Sequence, residues 1–401
     1  MEIKLTIKKY DILLYLILIP FLYPRGFQEY IGTYKMFFTG WLYLAIILIV
    51  VVFVFFVTRR ALTVKKSTWM MMIYAITYIA ITLYTQGGIS NGYQKLFAAP
   101  ALCMVCSLAM EKHCDALIRC MSNIIIVNFL LNLTIFNPVL WSQYFNSDNS
   151  HIIFLGHVQL CAQIGILGVF LAYLEGFAGK KTKSRCLFIL SLLTMIMSKT
   201  VASYITIAVL ICAFIIRKKV RNLMLNHNIL MGGFILANVV LFVIVQKCIS
   251  GKFNYIMTIL TSGRTYVWRA AIDLMKGHWI YGYGAYGALI KVFWSAWSSN
   301  LEGMNYAHNE LLQRLLDGGI ILLILFIIML YSYVKSIKRA KNKKIYYWCC
   351  VFTISIMVLM MFESVTEYFY IYILLTCFAY LPTIETQLEM YKRKRKEIKW
   401  D

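Results

Sequence analysis

Apolar residues in this chain come in long runs separated by short polar or basic stretches. A helix needs roughly 20 apolar residues to cross a hydrocarbon core. On that criterion about twelve segments qualify, near 11–24, 37–57, 69–85, 94–110, 117–137, 152–174, 186–200, 201–216, 229–246, 308–332, 345–362 and 365–382. The first is short and interrupted by Pro20, and the pair over 186–216 is joined by almost no loop. Trp41, Trp69 and Trp348 stand at span ends, where indole rings anchor to the interface. The pattern predicts an all-α, multi-pass membrane protein in three parts. Residues 1–246 form an N-terminal helix bundle, 247–307 a large external loop, and 308–401 the C-terminal helices and a basic tail.

Composition agrees. The hydrophobic set makes up 61% of the 401 residues and charged residues 14%, against about 45–50% and 25% in a soluble domain, so lipid is the expected solvent. Forty Lys and Arg against 17 Asp and Glu leave a net charge of +23. On a soluble protein that excess suggests nucleic acid, whereas on a membrane protein it first sets orientation. With the N-terminus in the cytoplasm, 29 of the 40 basic residues fall on the cytoplasmic side and every second loop is basic. Both termini are therefore expected inside, beside an anionic inner leaflet, and no nucleic-acid partner is implied. Lys4, Lys8 and Lys9 before an apolar run resemble a signal peptide, but no small-residue cleavage site follows, so a retained first helix is expected. Eleven cysteines fall mostly within or beside apolar runs, and the Cys103/Cys106 pair has no second pair at zinc-finger spacing. No metal is expected.

The external loop, about 60 residues rich in Gly, Ser, Trp and Tyr, is where chemistry is expected. From Thr261 it opens an amphipathic helix, with Trp268, Ala271, Ile272 and Met275 on one face and Arg269, Asp273 and Lys276 on another. Ser262 is the expected N-cap. Arg264 then stands at the positive end of the helix, on the side of Trp268, as a diphosphate ligand would; the alternative is a solvated arginine. Arg269 and Lys276 are expected to pair with Asp273. The run Gly282-Tyr283-Gly284-Ala285-Tyr286-Gly287 has dinucleotide-fingerprint spacing but no βαβ unit around it, so a glycine turn packed by tyrosines is expected.

At the loop's end, His308 enters the bilayer beside Asn309. A neutral imidazole there can take a proton from a hydroxyl, or it is simply an interfacial histidine. Glu310, Arg314 and Asp317 are spaced to neutralise one another on a helix, Arg314 having an anionic lipid as its other candidate partner. Lys199, between two spans with no basic neighbour, either snorkels to the interface or faces an anionic ligand. His151 and His157 flank the sixth span, while His113 and His227 fall on cytoplasmic loops away from any external site.

The loop pattern, SGR…W through G-Y-G to HNxxLxxLxxxG before a span, resembles the bacterial O-antigen polymerase and O-antigen ligase superfamily. The resembling region covers about 195–320. What the resemblance implies is glycosyl transfer at the outer face of the cytoplasmic membrane, without cofactor, metal or nucleotide sugar. Donor and acceptor are glycans, the donor on a polyprenyl diphosphate such as undecaprenyl diphosphate. The product is O-antigen of lipopolysaccharide, capsule or exopolysaccharide. By the same resemblance His308 engages the acceptor hydroxyl with support from Asn309, and Arg264 and Lys199 hold the diphosphate. Arg314, Arg269 and Trp268 are further candidates. Lys199 stands where the family usually has Arg, which keeps the charge and loses the bidentate fork, and the proline that often precedes the glycine turn is replaced by Gly277-His278-Trp279-Ile280.

Direct displacement by a hydroxyl inverts the anomeric centre, so inversion is expected. Polymerase is preferred over ligase, because the sequence departs from the pattern in places. A chain-length regulator is a further candidate partner, the sequence leaving open whether a partner sets chain length. From a different class, a glycolipid flippase or transporter suits twelve spans, but paired broken helices at the midplane and two internal halves are not evident in the sequence.

Overall fold

The computed structural model describes residues 9–59, 63–90, 92–145, 151–220, 226–247, 251–261, 263–292 and 306–397. Ser262, parts of the external loop (248–250 and 293–305) and several basic residues of the orientation argument (Lys4, Lys8, Arg60, Arg221, Lys399) lie outside them. The described chain is a helical bundle, with one two-residue hairpin. The N-terminal part comprises α1 (Lys9–Leu22), α2 (Gly32–Thr58), α3 (Lys66–Tyr84), α4 (Ala99–Lys112), α5 (Cys114–Leu133) and α6 (Pro138–Phe145). The hairpin β1 (Ile152–Ile153) and β2 (Gly156–His157) precedes α7 (Leu160–Phe177), α8 (Lys181–Met197), α9 (Val201–Val220) and α10 (His227–Lys247). The external loop holds α11 (Gly251–Leu260), α12 (Arg264–Leu274) and α13 (Gly287–Val292). The chain closes with α14 (Glu310–Ser336), α15 (Lys343–Phe362), α16 (Tyr370–Ala379) and α17 (Leu381–Glu397).

Each of the twelve predicted segments contains a helix, but fewer of these helices can span alone. Seven described helices are long and apolar enough, or eight if α16 and α17, bent by 84° to each other, form one broken span. The difference is one of length. At 1.5 Å per residue, 14-residue α1 and α4 reach roughly 21 Å and ten-residue α16 roughly 15 Å, short of a core about 30 Å thick. The sixth predicted span also starts later than 152, because residues 152–157 form the hairpin and α7 begins at Leu160.

Burial separates the centre of the bundle from its rim. In α7, 83% of the apolar window is buried, against 28% in α2 and α10, so α7 is the central post and the other two face lipid. The α7–α8 pair meets through a small residue: a Cβ on Gly168 would lie 2.2 Å from Ser191 Oγ, the close approach that drives helix packing in membranes.

The loops gather at two opposite ends. At one end Gln387 of α17 joins α4 to α5, accepting from Cys114 N and donating to Glu111 O, and Glu385 accepts from Lys341 N and Asn342 N. There too Glu175 at the end of α7 pairs with Lys180 and Lys183 at 2.8 Å. These are the loops the charge pattern assigns to one side. At the other end lie the hairpin, the α8–α9 turn, the described parts of the external loop and the α15–α16 junction.

Helix α14 is broken. Gly318 (φ −154°, ψ 19°) and Gly319 (φ 62°, ψ −162°) leave the helical region. The freed groups are taken up by the external loop, where Leu316 O accepts from Tyr283 N (2.8 Å) and Ile320 N donates to Trp279 O (2.8 Å). A Cβ on Gly319 would lie 2.1 Å from Ile280 O. The predicted glycine turn is therefore a clasp around the break, with Gly282, Gly284 and Tyr286 all at positive φ.

Candidate active site

The turn between α8 and α9 is Ser198-Lys199-Thr200, its hydroxyls tied to Ser203 Oγ at 2.8 and 2.9 Å. Lys199 sits at its apex with φ 52° and its side chain exposed. A non-glycine residue in the left-handed region costs about 1–3 kcal/mol and persists where its surroundings over-determine it. Below it, Gly263 (φ 82°) occupies the N-cap position of α12, and Arg264 is the helix's first residue. Lys199 and Arg264 line one cavity of about 690 Å³ together with His151, His157, Gln159 and Thr200. The two cations singled out from sequence thus face the same space.

Behind Arg264 lies a carboxylate that the sequence reading missed. Glu363 follows the last residue of α15 and is 2% exposed. Its Oε2 accepts from Arg264 Nη2 at 3.0 Å, and its Oε1 accepts from Tyr306 OH at 3.0 Å and lies 2.9 Å from His308 Nδ1. With its amide oxygen turned to Arg264 (2.9 Å), Gln159 donates to Glu363 Oε1 at 2.9 Å. Burial pushes the Glu363 carboxyl up, but His308, Arg264 and Tyr306 outweigh it and hold it below the usual carboxylate range. One signal was available: Glu363 and Glu367 are the only carboxylates over the apolar stretch 345–382, where a charge is costly unless partnered.

His308 is the second strained residue, at φ 49°, and its side chain is 4% exposed. Facing a carboxylate, Nδ1 is the donor of that contact. Nε2 points away from it, buried and with no hydrogen-bond partner among the described residues. The Tyr306 ring lies over the imidazole, centroids 4.3 Å apart. His157, in the hairpin wall, is lowered to about 4, mainly by burial, so it is neutral at physiological pH.

Asn309 touches none of these groups. It caps α14, accepting from Leu312 N at 3.0 Å, and donates to Asn238 Oδ1 (2.8 Å) and Met361 O (3.0 Å). It thereby fixes where His308 enters and ties that point to the end of α15. Glu310 adds a second tie, receiving Thr366 N (3.0 Å) and Thr366 Oγ1 (2.5 Å).

The further candidates, Arg314, Arg269 and Trp268, do not line that cavity. Arg314 is fully buried, with its Nε 3.0 Å from Glu310, Nη2 3.3 Å from Asp317 and Nη1 3.1 Å from the Tyr74 hydroxyl. The expected self-neutralising trio is present, and an anionic lipid cannot reach it. Lys95 joins this cluster through Glu367 (2.5 Å) and Asp317 (3.5 Å). Trp268 is fully buried, packed with Val267, Ala271, Met275, Leu312 and Leu316, which removes it from ligand contact. Lys276 pairs with Asp273 as expected (3.1 Å), whereas Arg269 donates to Val245 O (2.8 Å) because it points toward α10.

Residues 186–327, about a third of the chain, match the family described as O-antigen ligase. The matched stretch contains Lys199, Arg264 and His308; Glu363 lies beyond it. No curated protein matches the chain.

Proposed function

We propose that this chain, whose residues 186–327 match the O-antigen ligase family, transfers a glycan from a polyprenyl diphosphate to a sugar hydroxyl at the outer face of the cytoplasmic membrane. The observation that carries this reading is the chain of contacts from cavity to base. Arg264 and Lys199 line the cavity, Arg264 is paired with Glu363, and Glu363 holds His308 with its Nε2 unengaged.

The chemistry follows from these groups. Lys199 and Arg264 take the diphosphate, and their charge stabilises the negative charge that develops on it as the anomeric C–O bond breaks. The acceptor hydroxyl is held at His308 Nε2 and loses its proton there as its oxygen attacks the anomeric carbon. The electron pair of the broken bond leaves with the lipid diphosphate, and the anomeric centre inverts. An unmade hydrogen bond at a buried nitrogen costs about 1–3 kcal/mol, and the acceptor hydroxyl supplies that bond.

Within this reaction we read the protein as a polymerase of lipid-linked repeat units, since the sequence departs from the family pattern at Lys199 and before the glycine turn. The second reading, ligase, is favoured by the description of the matched family. A deletion strain separates the two: loss of a polymerase leaves single repeat units on the surface, and loss of a ligase leaves polymer on its lipid carrier. For either, Arg264→Ala and His308→Ala are expected to abolish product at unchanged protein level. Wild-type product from either variant at matched expression contradicts the site assignment.

A further inference from the structure

Glu363 has one partner on each side of the proposed reaction. Its Oε2 lies 3.0 Å from Arg264 Nη2, and its Oε1 lies 2.9 Å from His308 Nδ1. The two partners differ in access. Arg264 is 11% exposed and lines the cavity, whereas His308 and Glu363 are 4% and 2% exposed and do not. A ligand entering the cavity therefore meets the Arg264 end of this chain first.

We propose that Glu363 is a positioning residue that couples donor binding to the base: the unliganded protein shares its carboxylate between Arg264 and His308, and an arriving diphosphate draws Arg264 away and leaves the carboxylate to His308. This rests on the function proposed above. A diphosphate offers a guanidinium more charge and more acceptor oxygens than one carboxylate does, so the exchange runs toward the ligand. Once Arg264 turns to the ligand, His308 is the remaining cation-forming partner of a buried anion, which favours the imidazolium and strengthens Nε2 as a base. The acceptor hydroxyl is thus activated when a donor is in place.

The surrounding groups leave this pairing undisturbed. From the hairpin, His157 is lowered to about 4 by burial and stays neutral, and His151 stands beside it with rings 5.9 Å apart. From the loops, Tyr306 and Tyr368 are raised by burial and keep their protons. Glu367, four residues on, is engaged by Lys95 and Tyr286. Among the described residues, Arg264 and His308 are the cationic or cation-forming partners within salt-bridge distance of Glu363.

The test uses full-length protein in nanodiscs, with farnesyl diphosphate as the binding probe and lipid-linked glycan as the substrate. Glu363→Gln is expected to bind farnesyl diphosphate several-fold more tightly, because the competitor for Arg264 is gone. Transfer should fall at least 100-fold, and the acid limb of its pH profile should move to lower pH, because the anion that favours protonated His308 is lost. Glu363→Asp should recover part of the transfer. A purely structural role predicts weaker binding and slower transfer together; that result, or unchanged binding and an unmoved acid limb, overturns the proposal. If the wild type binds the probe and transfers nothing, the functional reading fails while the binding comparison still decides the competition at Arg264. Should Glu363→Gln not fold, the wild type carries the test by NMR of 13C-labelled histidine. The His308 resonance is expected to titrate at higher pH with farnesyl diphosphate bound; an unchanged or lower titration overturns the proposal.

Discussion

His157 sits in the cavity wall with its proton affinity lowered to about 4, mainly because burial disfavours the charged ring. In the unfolded chain the same ring titrates near 6.5. The unfolded state therefore binds the extra proton between those values. The contribution to stability is complete above about pH 6.5 and is lost progressively as the pH falls toward 4, amounting to roughly 3 kcal/mol. The thermal midpoint of the purified protein should fall over that window, and His157→Asn should flatten it. Lys199 calls for a kinetic measurement. Exposed at the apex of a strained turn, in the proposed reaction it serves the donor and not the base, so Lys199→Ala should raise the donor KM about tenfold, worth about 1.4 kcal/mol, with a smaller change in kcat. Lys199→Arg, which adds a bidentate fork, should bind donor at least as well.

At the scale of elements, the decisive piece is α14, which carries His308 at its entrance and breaks at Gly318–Gly319. Gly319→Ala places a Cβ 2.1 Å from Ile280 O at a φ of 62°. It should lower the thermal midpoint and reduce transfer, by releasing the clasp that the loop makes on Leu316 and Ile320. The same helix carries the buried Arg314 between Glu310 and Asp317. Arg314→Ala leaves two carboxylates buried and short of a cation, a loss of about 3–5 kcal/mol, read as reduced yield and lower midpoint. Much of this element was legible in the chain: the Glu310–Arg314–Asp317 spacing, the helix from Arg264 and the glycine turn are all local patterns. Glu363 was not, because its partners lie 99 and 55 positions away and a single carboxylate after an apolar run has no periodicity to betray it. Arg269 was misread for the related reason that a face's periodicity does not say which neighbour covers it. Trp268 turned out to pack on α14, and Arg269 to reach the carbonyl of Val245.

At the scale of the molecule, the loops that the charge pattern assigns to one side do meet at one end of the bundle, where α17 joins α4, α5 and the segment before α15. The proposed site occupies the other end. A C-terminal fluorescent fusion should therefore report the cytoplasm, and a phosphatase fused at the same point should be inactive. The span count was less legible, because a run of apolar residues does not reveal where a helix stops: the hairpin before α7 and the break between α16 and α17 both lie inside predicted spans. The central claim is that the chain forms glycosidic bonds using His308 as its base. It is tested most directly by giving the purified protein a polyprenyl-diphosphate-linked oligosaccharide, with a sugar acceptor, and resolving the products by mass spectrometry. Extended or transferred glycan from the wild type, with none from His308→Ala of equal stability, is the predicted result. Movement of glycolipid between leaflets without a new glycosidic bond, or equal product from His308→Ala, would contradict it.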